Sequence, residues 1–304
     1  MAGQRQRTLR AAISCRGVGL HTGRKIGLTL RPAVAGAGIH FRRVDRAADG
    51  FEVAAHIDSV VDSRMASVLG APGGPRIGTV EHLLAALRGC GIDNALIDVD
   101  GPEVPIMDGS AAPFVFLIEC AGVLAQDAPR RAVEVLRPIV VGDGDRRAEL
   151  LPENGFSVSF SIDFPSAAIG RQEAAVRLCN GAFKSSIARA RTFGFEHELH
   201  TMRAAGLANG GDLSNAILVR GDRVVNEEGL RFGDEFVRHK MLDSIGDLYL
   251  AGAPIIGRYR GFRCGHALNH ALLRALFADP HSWRWTAAEA DAEEPSAVRV
   301  RASA

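Results

Sequence analysis

The stretch FVRHKMLDSIGDLYL, residues 236–250, decides how the chain is interpreted, and we predict a helix across it. On such a helix His239, Asp243 and Asp247 are four residues apart and share one face. Gly246 lies beside this polar stripe, where glycine costs about 1 kcal/mol relative to alanine. We therefore expect another element to approach the helix closely there. A solvated face carrying a His/Asp pair is the alternative interpretation.

The segment TVEHLLAAL, residues 79–87, supplies a second pair of chemically active side chains. Glu81 and His82 stand in the first turn of a predicted helix, where the positive end of the helix dipole favours the Glu81 carboxylate. With His239 and Asp243, His82 completes a set of two imidazoles and one carboxylate. Catalytic zinc uses three such ligands and leaves a fourth position for water. In the alternative, Glu81 only complements the dipole and His82 caps a neighbouring loop.

A third segment, GHALNHALL at residues 265–273, places His266 at the beginning of a predicted helix. Hydrolysis of an amide needs a base that accepts a proton from water and an acid that protonates the departing amine. Glu81 is placed to be the base, and His266 could be the acid. Asp247, one turn beyond Asp243, could fix the His266 tautomer and raise its pKa. A histidine that caps a helix or anchors a loop remains the alternative for His266.

Composition excludes several classes of protein. The 304 residues are 47% hydrophobic, and 36 basic against 35 acidic side chains leave a net charge of +1. No overall field attracts nucleic acid or an anionic membrane, and no apolar run is long enough for a signal peptide or an integral membrane segment. We expect a cytoplasmic protein. Five scattered cysteines without a CxxC pair argue against a disulfide framework and a thiolate metal cage.

The order of predicted elements indicates an α+β fold. Extended runs with Gly and Pro punctuation surround two helices in the first half, and the pattern restarts after a polar segment, Gln126–Arg131, which we interpret as a linker. Two α+β domains follow, at 1–126 and 131–290, with an acidic, Ala-rich tail from about Asp291. The predicted helices span Thr79–Arg88, Pro113–Ala121, Lys184–Ala190, Asp234–Ala251 and His266–Phe277. The predicted strands are 25–30, 38–42, 67–69, 95–99, 133–135, 139–141, 148–150, 156–162 and 216–220.

Six motifs in this order closely resemble the UDP-3-O-acyl-N-acetylglucosamine deacetylases, the bacterial zinc enzymes of the committed step of lipid A biosynthesis. Each motif is short, but six in one order are highly specific. The motifs are GVGLHTG from Gly17, TVEHLLAAL from Thr79, DNALIDVDGPEVPIMDGSAAPF from Asp93, ARTFGF from Ala190, NEEGLRFGDEFVRHKMLDSIGDL from Asn226 and GHALN from Gly265.

The resemblance implies a role for each matching residue. It implies zinc ligands at His82, His239 and Asp243, a general base at Glu81, and a general acid at His266 with Asp247 as its partner. Iron(II) also suits two imidazoles and a carboxylate. The implied substrate is a UDP-linked acylated amino sugar. The resemblance puts Thr192 near the oxyanion, Phe193 on the sugar and Lys240 at the phosphates. The other implied substrate contacts are Leu20, Asp163 and Phe164.

The resemblance also implies the architecture: two similar domains, each a β-sheet with two helices, with the helices sandwiched between the two sheets. An insert near 195–225 would shape an apolar passage for the acyl chain. Its apolar residues either line that passage or pack into the core; they are Leu199, Met202, Leu207 and Ile217. We expect a monomer with no nucleic-acid partner.

Two positions depart from the family pattern. The segment after Asp62, SRMAS, lacks a cysteine that some relatives have near the metal, and His270 stands where asparagine is common. Two other functions stay open at this point. The same zinc centre could act on a different acylated sugar, or the chain could bind a nucleotide sugar without catalysis. Intact base, acid and metal ligands argue against the second.

Overall fold

A computed structural model describes residues 4–179, 181–288 and 299–301, with only the backbone described at 47–49 and 299–301. The α+β class predicted from the sequence is confirmed. The predicted acidic tail begins at about residue 291. Its residues 291–298 lie outside the described part of the chain. Among the described residues, none of the helices combines the length and hydropathy that crossing a bilayer requires.

The described part of the first half contains ten strands and two helices, with 3₁₀ turns at Val44–Asp49 and Ile57–Ser59. The strands are β1 (Arg5–Leu9), β2 (Ile13–Val18), β3 (Lys25–Pro32), β4 (Ile39–Arg43), β5 (Glu52–Ala54), β6 (Val60–Asp62), β7 (Val68–Gly70), β8 (Arg76–Ile77), β9 (Ala95–Val99) and β10 (Val123–Pro129). The helices are α1 (Glu81–Cys90) and α2 (Ala112–Ala121). Strands β2, β3, β9, β4 and β5 form one sheet in that order, β6 to β8 form a small second sheet, and β1 pairs with β10.

The second half builds a larger sheet and four helices. Its strands are β11 (Arg131–Val135), β12 (Ile139–Asp143), β13 (Arg146–Leu151), β14 (Phe156–Asp163), β15 (Arg171–Arg177), β16 (Phe193–Phe195), β17 (Ile217–Arg220), β18 (Arg223–Val224), β19 (Ile255–Phe262), β20 (Trp283–Ala287) and β21 (Arg299–Arg301). Its helices are α3 (Ala182–Ser186), α4 (Glu196–Ala204), α5 (Glu235–Tyr249) and α6 (His266–Ala278). The main sheet has the order β12-β13-β19-β14-β15-β21, with β11 between β19 and β20.

Residues 126–131, which we predicted to be a linker, are largely strand. Strand β10 continues to Pro129 and pairs antiparallel with β1, and β11 begins at Arg131. The polar side chains that suggested a linker are used in hydrogen bonds: the Gln126 amide accepts from Asn94 and donates to the Ala33 carbonyl. The division into domains at 1–126 and 131–290 stays a proposal.

Helix α5 is the centre of the molecule. It packs against α1 and α6 and against strands β14 and β15. Thirteen of its side chains are buried, and they include both apolar and polar groups. Lys240 is the one residue of this helix that is partly exposed. Helix α6 covers β12 and β13, and α2 contacts both α1 and β2. The long helices therefore lie between the two large sheets.

Helix α1 approaches α5 closely at Gly246, as the sequence predicted. A Cβ atom at Gly246 would lie 2.0 Å from the carbonyl oxygen of Glu81. Only glycine permits that approach, because the neighbouring atom is backbone and no side-chain movement can relieve the clash. The contact brings Glu81 and His82 beside the polar stripe of α5.

The start of α1 differs from the prediction. The predicted helix starts at Thr79, but Thr79 has a φ of 55°, and the helix begins after Val80. The Thr79 hydroxyl instead donates to Glu103 at 3.3 Å, which ties the loop before α1 to the loop after β9. Helix α1 continues to Cys90, two residues beyond the predicted end at Arg88, and Gly91 in the left-handed conformation forms its C-cap.

We predict that Gly246→Ala lowers the free energy of unfolding by about 3 kcal/mol, because overpacking against backbone outweighs the gain of about 1 kcal/mol in helix propensity. Urea denaturation would measure it. Gly233→Ala is the control, since a Cβ there meets no atom within 4 Å and its φ is not positive. Equal midpoints for the two variants would contradict the close contact.

Candidate metal centre

Three side chains from two helices meet in the interior between the halves of the chain. His82 comes from α1, and His239 and Asp243 come from α5; all three are buried. Asp243 Oδ1 is 3.4 Å from His82 Nε2 and 3.3 Å from His239 Nε2. The candidate ligand atoms all lie within 4.8 Å of one another, and within the described residues this is the one group of His, Cys, Asp and Glu with such spacing.

The chemical state of these groups suits metal binding. His239 Nδ1 is 3.1 Å from the Ala190 carbonyl, so it donates there and leaves the Nε2 lone pair facing Asp243. Burial lowers the pKa of His239 to about 3, which favours the neutral ligand form. Burial opposes ionisation of Asp243, but the neighbouring His239, followed by Lys240 at 2.9 Å, holds the pKa of Asp243 well below the usual range.

An unpartnered carboxylate oxygen supports a cation in the cluster. Asp243 Oδ1, the atom that faces both imidazole Nε2 atoms, is buried and has no hydrogen-bond partner. A buried carboxylate oxygen without a donor is costly, and a divalent metal supplies the missing interaction. Two imidazole nitrogens and one carboxylate oxygen form a donor set typical of zinc and also acceptable to iron(II).

Glu81 lies next to this cluster, with one carboxylate oxygen fixed and one directed toward His266. Its Oε2 accepts a hydrogen bond from the Ser67 backbone N–H at 3.0 Å, and its Oε1 is 3.9 Å from His266 Nε2. We expected the helix dipole to favour ionisation of Glu81. The structure adds burial, which raises the pKa of Glu81 above its ordinary value. A raised pKa suits a group that must take up a proton and release it again.

His266 begins α6, as predicted, and is paired with Asp247. Its Nδ1 is 2.8 Å from Asp247 Oδ2. Burial lowers the pKa of His266, but the charge and hydrogen bond of Asp247 outweigh burial and raise it to about 9. The pKa of Asp247 is in turn held far below its ordinary value, since His266 offsets the burial of the carboxylate. His266 is therefore positively charged at neutral pH.

The sequence did not predict the residues that surround Asp247. Asn269 Nδ2 donates to Asp247 Oδ2 at 2.7 Å, and the Ser67 hydroxyl donates to Oδ1 at 2.5 Å. His270 Nε2 is 3.0 Å from the same hydroxyl. Ser67 is in an irregular segment far away in sequence, so no spacing pointed to it, and His270 was noted only as a departure from the family pattern.

A cavity of about 440 Å³ opens onto these groups. Four of the six predicted substrate contacts border it: Leu20, Thr192, Phe193 and Lys240. The cavity wall also contains side chains that the sequence analysis did not single out, among them His21, Arg64 and Arg146.

Lys240 and Thr192 differ in detail from what we expected. Lys240 turns back onto Asp243, and its Nζ stands 5.7 Å from the centre of the Phe193 ring. The backbone N–H of Thr192 donates to the Gly109 carbonyl at 2.8 Å, which leaves the hydroxyl as its available polar group. Asp163 and Phe164 are not among the cavity residues, although Phe164 packs edge-on against Phe193 with ring centres 5.7 Å apart.

A second cavity of about 310 Å³ adjoins the first and shares Leu20, His21, Thr192, Phe193 and Met202 with it. Residues of the predicted insert form most of its apolar wall. Leu199, Met202 and Ile217 line the cavity, whereas Leu207 does not. Helix α4, which carries Leu199 and Met202, was not predicted from the sequence.

Comparisons with known proteins agree on one family. The family model described as UDP-3-O-acyl N-acetylglycosamine deacetylase matches residues 6–278. The UDP-3-O-acyl-N-acetylglucosamine deacetylase of Acidithiobacillus ferrooxidans is 53% identical over 283 residues, which cover 92% of each chain. The Phenylobacterium zucineum protein of that name is 49% identical, over 92% of this chain and 95% of its own. That of Vibrio parahaemolyticus is 48% identical over 96% of each chain.

Proposed function

Since this chain belongs to the UDP-3-O-acyl-N-acetylglucosamine deacetylase family, we propose that it uses zinc, held by His82, His239 and Asp243, to hydrolyse the N-acetyl group of UDP-3-O-acyl-N-acetylglucosamine. The products are acetate and UDP-3-O-acyl-glucosamine, and the reaction is the committed step of lipid A biosynthesis. The observation that carries the proposal is a buried ligand set beside a carboxylate, Glu81, and a charged imidazole, His266.

The metal has a defined task in this chemistry. When bound, it lowers the pKa of a water molecule to about 7 and polarises the acetyl carbonyl. Zinc is proposed because two imidazoles and one carboxylate, with a position left open, are typical of catalytic zinc sites. Iron(II) accepts the same ligands and is the alternative metal in the cell.

Glu81 and His266 carry the two proton transfers. Glu81 accepts the proton of the attacking water as the water oxygen bonds to the acetyl carbon. His266 gives its proton to the sugar nitrogen as the C–N bond breaks, so that the amine leaves neutral. Asp247 keeps His266 protonated and oriented until that step. The 3.9 Å between Glu81 Oε1 and His266 Nε2 supports these two roles, because both side chains line the same cavity and could act on one substrate amide.

The remaining cavity residues hold the substrate. The Thr192 hydroxyl stabilises the oxyanion that develops on the acetyl group, and the sugar packs on Phe193. Lys240 and Arg146 supply positive charge toward the diphosphate, and Arg146, half exposed, is the more accessible of the two. The acyl chain enters the adjoining apolar cavity past Leu20. Asp163 and Phe164 act near the uridine, with Phe164 contacting the site only through Phe193.

Two alternative functions differ from this proposal, one in the substrate and the other in the absence of catalysis. A related enzyme could use the same centre on another acylated sugar, but the apolar cavity beside the metal cluster favours a lipid-bearing substrate. A binding protein without catalysis would not need Glu81 and His266 buried beside the ligands. We further propose that the protein works as a monomer in the cytoplasm.

The direct test is acetate release from UDP-3-O-acyl-N-acetylglucosamine by the zinc-loaded protein. We expect one acetate per sugar, and a loss of about 10²- to 10⁴-fold in kcat for Glu81→Gln, because the amide cannot accept the proton. Metal content measured on the same samples should be equal, since Glu81 is not a ligand. Wild-type protein that binds the nucleotide sugar but releases no acetate would favour the binding protein.

The pH dependence of kcat/KM tests the acid assignment. Activity should rise with pH as Glu81 ionises and fall as pH passes the pKa of His266, which Asp247 raises to about 9. Asp247→Asn removes the charge that raises this pKa and leaves the burial that lowers it, so the basic limb should move to lower pH. The exposed Asp127→Asn on β10 controls for net charge. A basic limb that stays in place in Asp247→Asn would assign the acid to another group.

A further inference from the structure

Ser67 contacts both Glu81, the proposed base, and Asp247, the partner of the proposed acid His266. Its backbone N–H donates to Glu81 Oε2 at 3.0 Å, and its hydroxyl donates to Asp247 Oδ1 at 2.5 Å. Glu81 belongs to α1 and Asp247 to α5, so one residue joins carboxylates from both halves of the chain. Ser67 is fully buried.

His270 fixes the direction of the Ser67 hydroxyl. The hydroxyl has a single proton, which it gives to Asp247, so it accepts from His270 Nε2 at 3.0 Å. His270 is itself fully buried, and its Nε2 is 3.6 Å from Asp247 Oδ1, too far for a good hydrogen bond. The rings of His270 and His266 are 6.5 Å apart. His270 therefore acts on Asp247 through Ser67.

The opposite side of Asp247 is held independently. Its Oδ2 accepts from His266 and from Asn269, and the Asn269 amide is oriented by the Tyr259 hydroxyl at 2.6 Å. Without Ser67, Oδ1 would keep only the distant His270 as a donor. The carboxylate could then rotate about its own axis and turn the His266 ring with it.

We propose that Ser67, oriented by His270, is a positioning residue that holds the Glu81 carboxylate and the Asp247–His266 pair in fixed register across the reacting amide. The inference rests on the proposed deacetylase function. A rotation of His266 by a fraction of an ångström at Nε2 would misdirect the proton to the leaving nitrogen, and such geometry strongly affects rates. Neither Ser67 nor His270 lines the cavity beside the metal cluster, so KM should not depend on them.

Acetate release by Ser67→Ala, Ser67→Thr and wild-type protein tests the proposal. We expect Ser67→Ala to lose about 10- to 100-fold in kcat with unchanged KM and metal content, as for other outer partners of catalytic groups. Ser67→Thr keeps the hydroxyl and should recover most of the rate. The control is Ser282→Ala, since Ser282 is equally buried and donates to Asp279, beyond the far end of α6. It should retain wild-type kcat.

The His270→Ala variant distinguishes positioning through the Ser67 hydroxyl from a simple loss of stability. It should lower kcat less than Ser67→Ala, and the double variant should be no slower than Ser67→Ala, because His270 works through the hydroxyl. Should Ser67→Ala not fold, His270→Ala with unchanged kcat would overturn the proposal. Wild-type kcat in folded Ser67→Ala would also overturn it. An inactive wild-type protein would instead refute the deacetylase function.

Discussion

The backbone contact between Gly246 of α5 and Glu81 of α1 determines how closely the candidate site residues of the two helices approach one another. A side chain at position 246 would hold the helices apart, and His82 would then stand too far from Asp243 to share a metal ion with it. The contact is made possible by apolar burial: α5 packs on α1 at one side and on β14 and β15 at the other. Burial of that extent supplies the free energy that brings costly ionisable groups into the interior.

Two aspartates on the same stripe of α5 acquire different roles from their surroundings. Asp247 has donors on both carboxylate oxygens, namely Ser67 on one and His266 with Asn269 on the other. Asp243 has Lys240 on one oxygen, while the other is buried without a partner. A carboxylate whose oxygens are already satisfied gains little from a cation, whereas one with a bare oxygen gains much. The hydrogen-bond pattern therefore supports the proposed division, with Asp243 as a metal ligand and Asp247 as the partner of His266.

Much of this site could be predicted because helical spacing is regular. The positions of His239, Asp243 and Asp247 on one face follow from 3.6 residues per turn. The position of His266 at the start of α6 follows from the helix predicted over residues 266–277. Strand β19 could not be found in the same way, although it is central to the larger sheet. Its sequence, IIGRYRGF, combines two glycines with two arginines, and only pairing with β13 and β14 reveals that the arginines face outward. Ser67 was missed because its partners are 14 and 180 residues away along the chain.

We propose that the two halves of the chain share one metal ion through His82 on α1 and His239 and Asp243 on α5. Diffraction from crystals of the zinc-loaded protein, measured on both sides of the zinc absorption edge, tests it most directly. We predict a single strong anomalous peak about 2.0–2.2 Å from His82 Nε2, His239 Nε2 and an Asp243 oxygen. A metal ion bound by residues of one half alone, or a peak located away from all three side chains, would contradict a metal ion shared between the two halves.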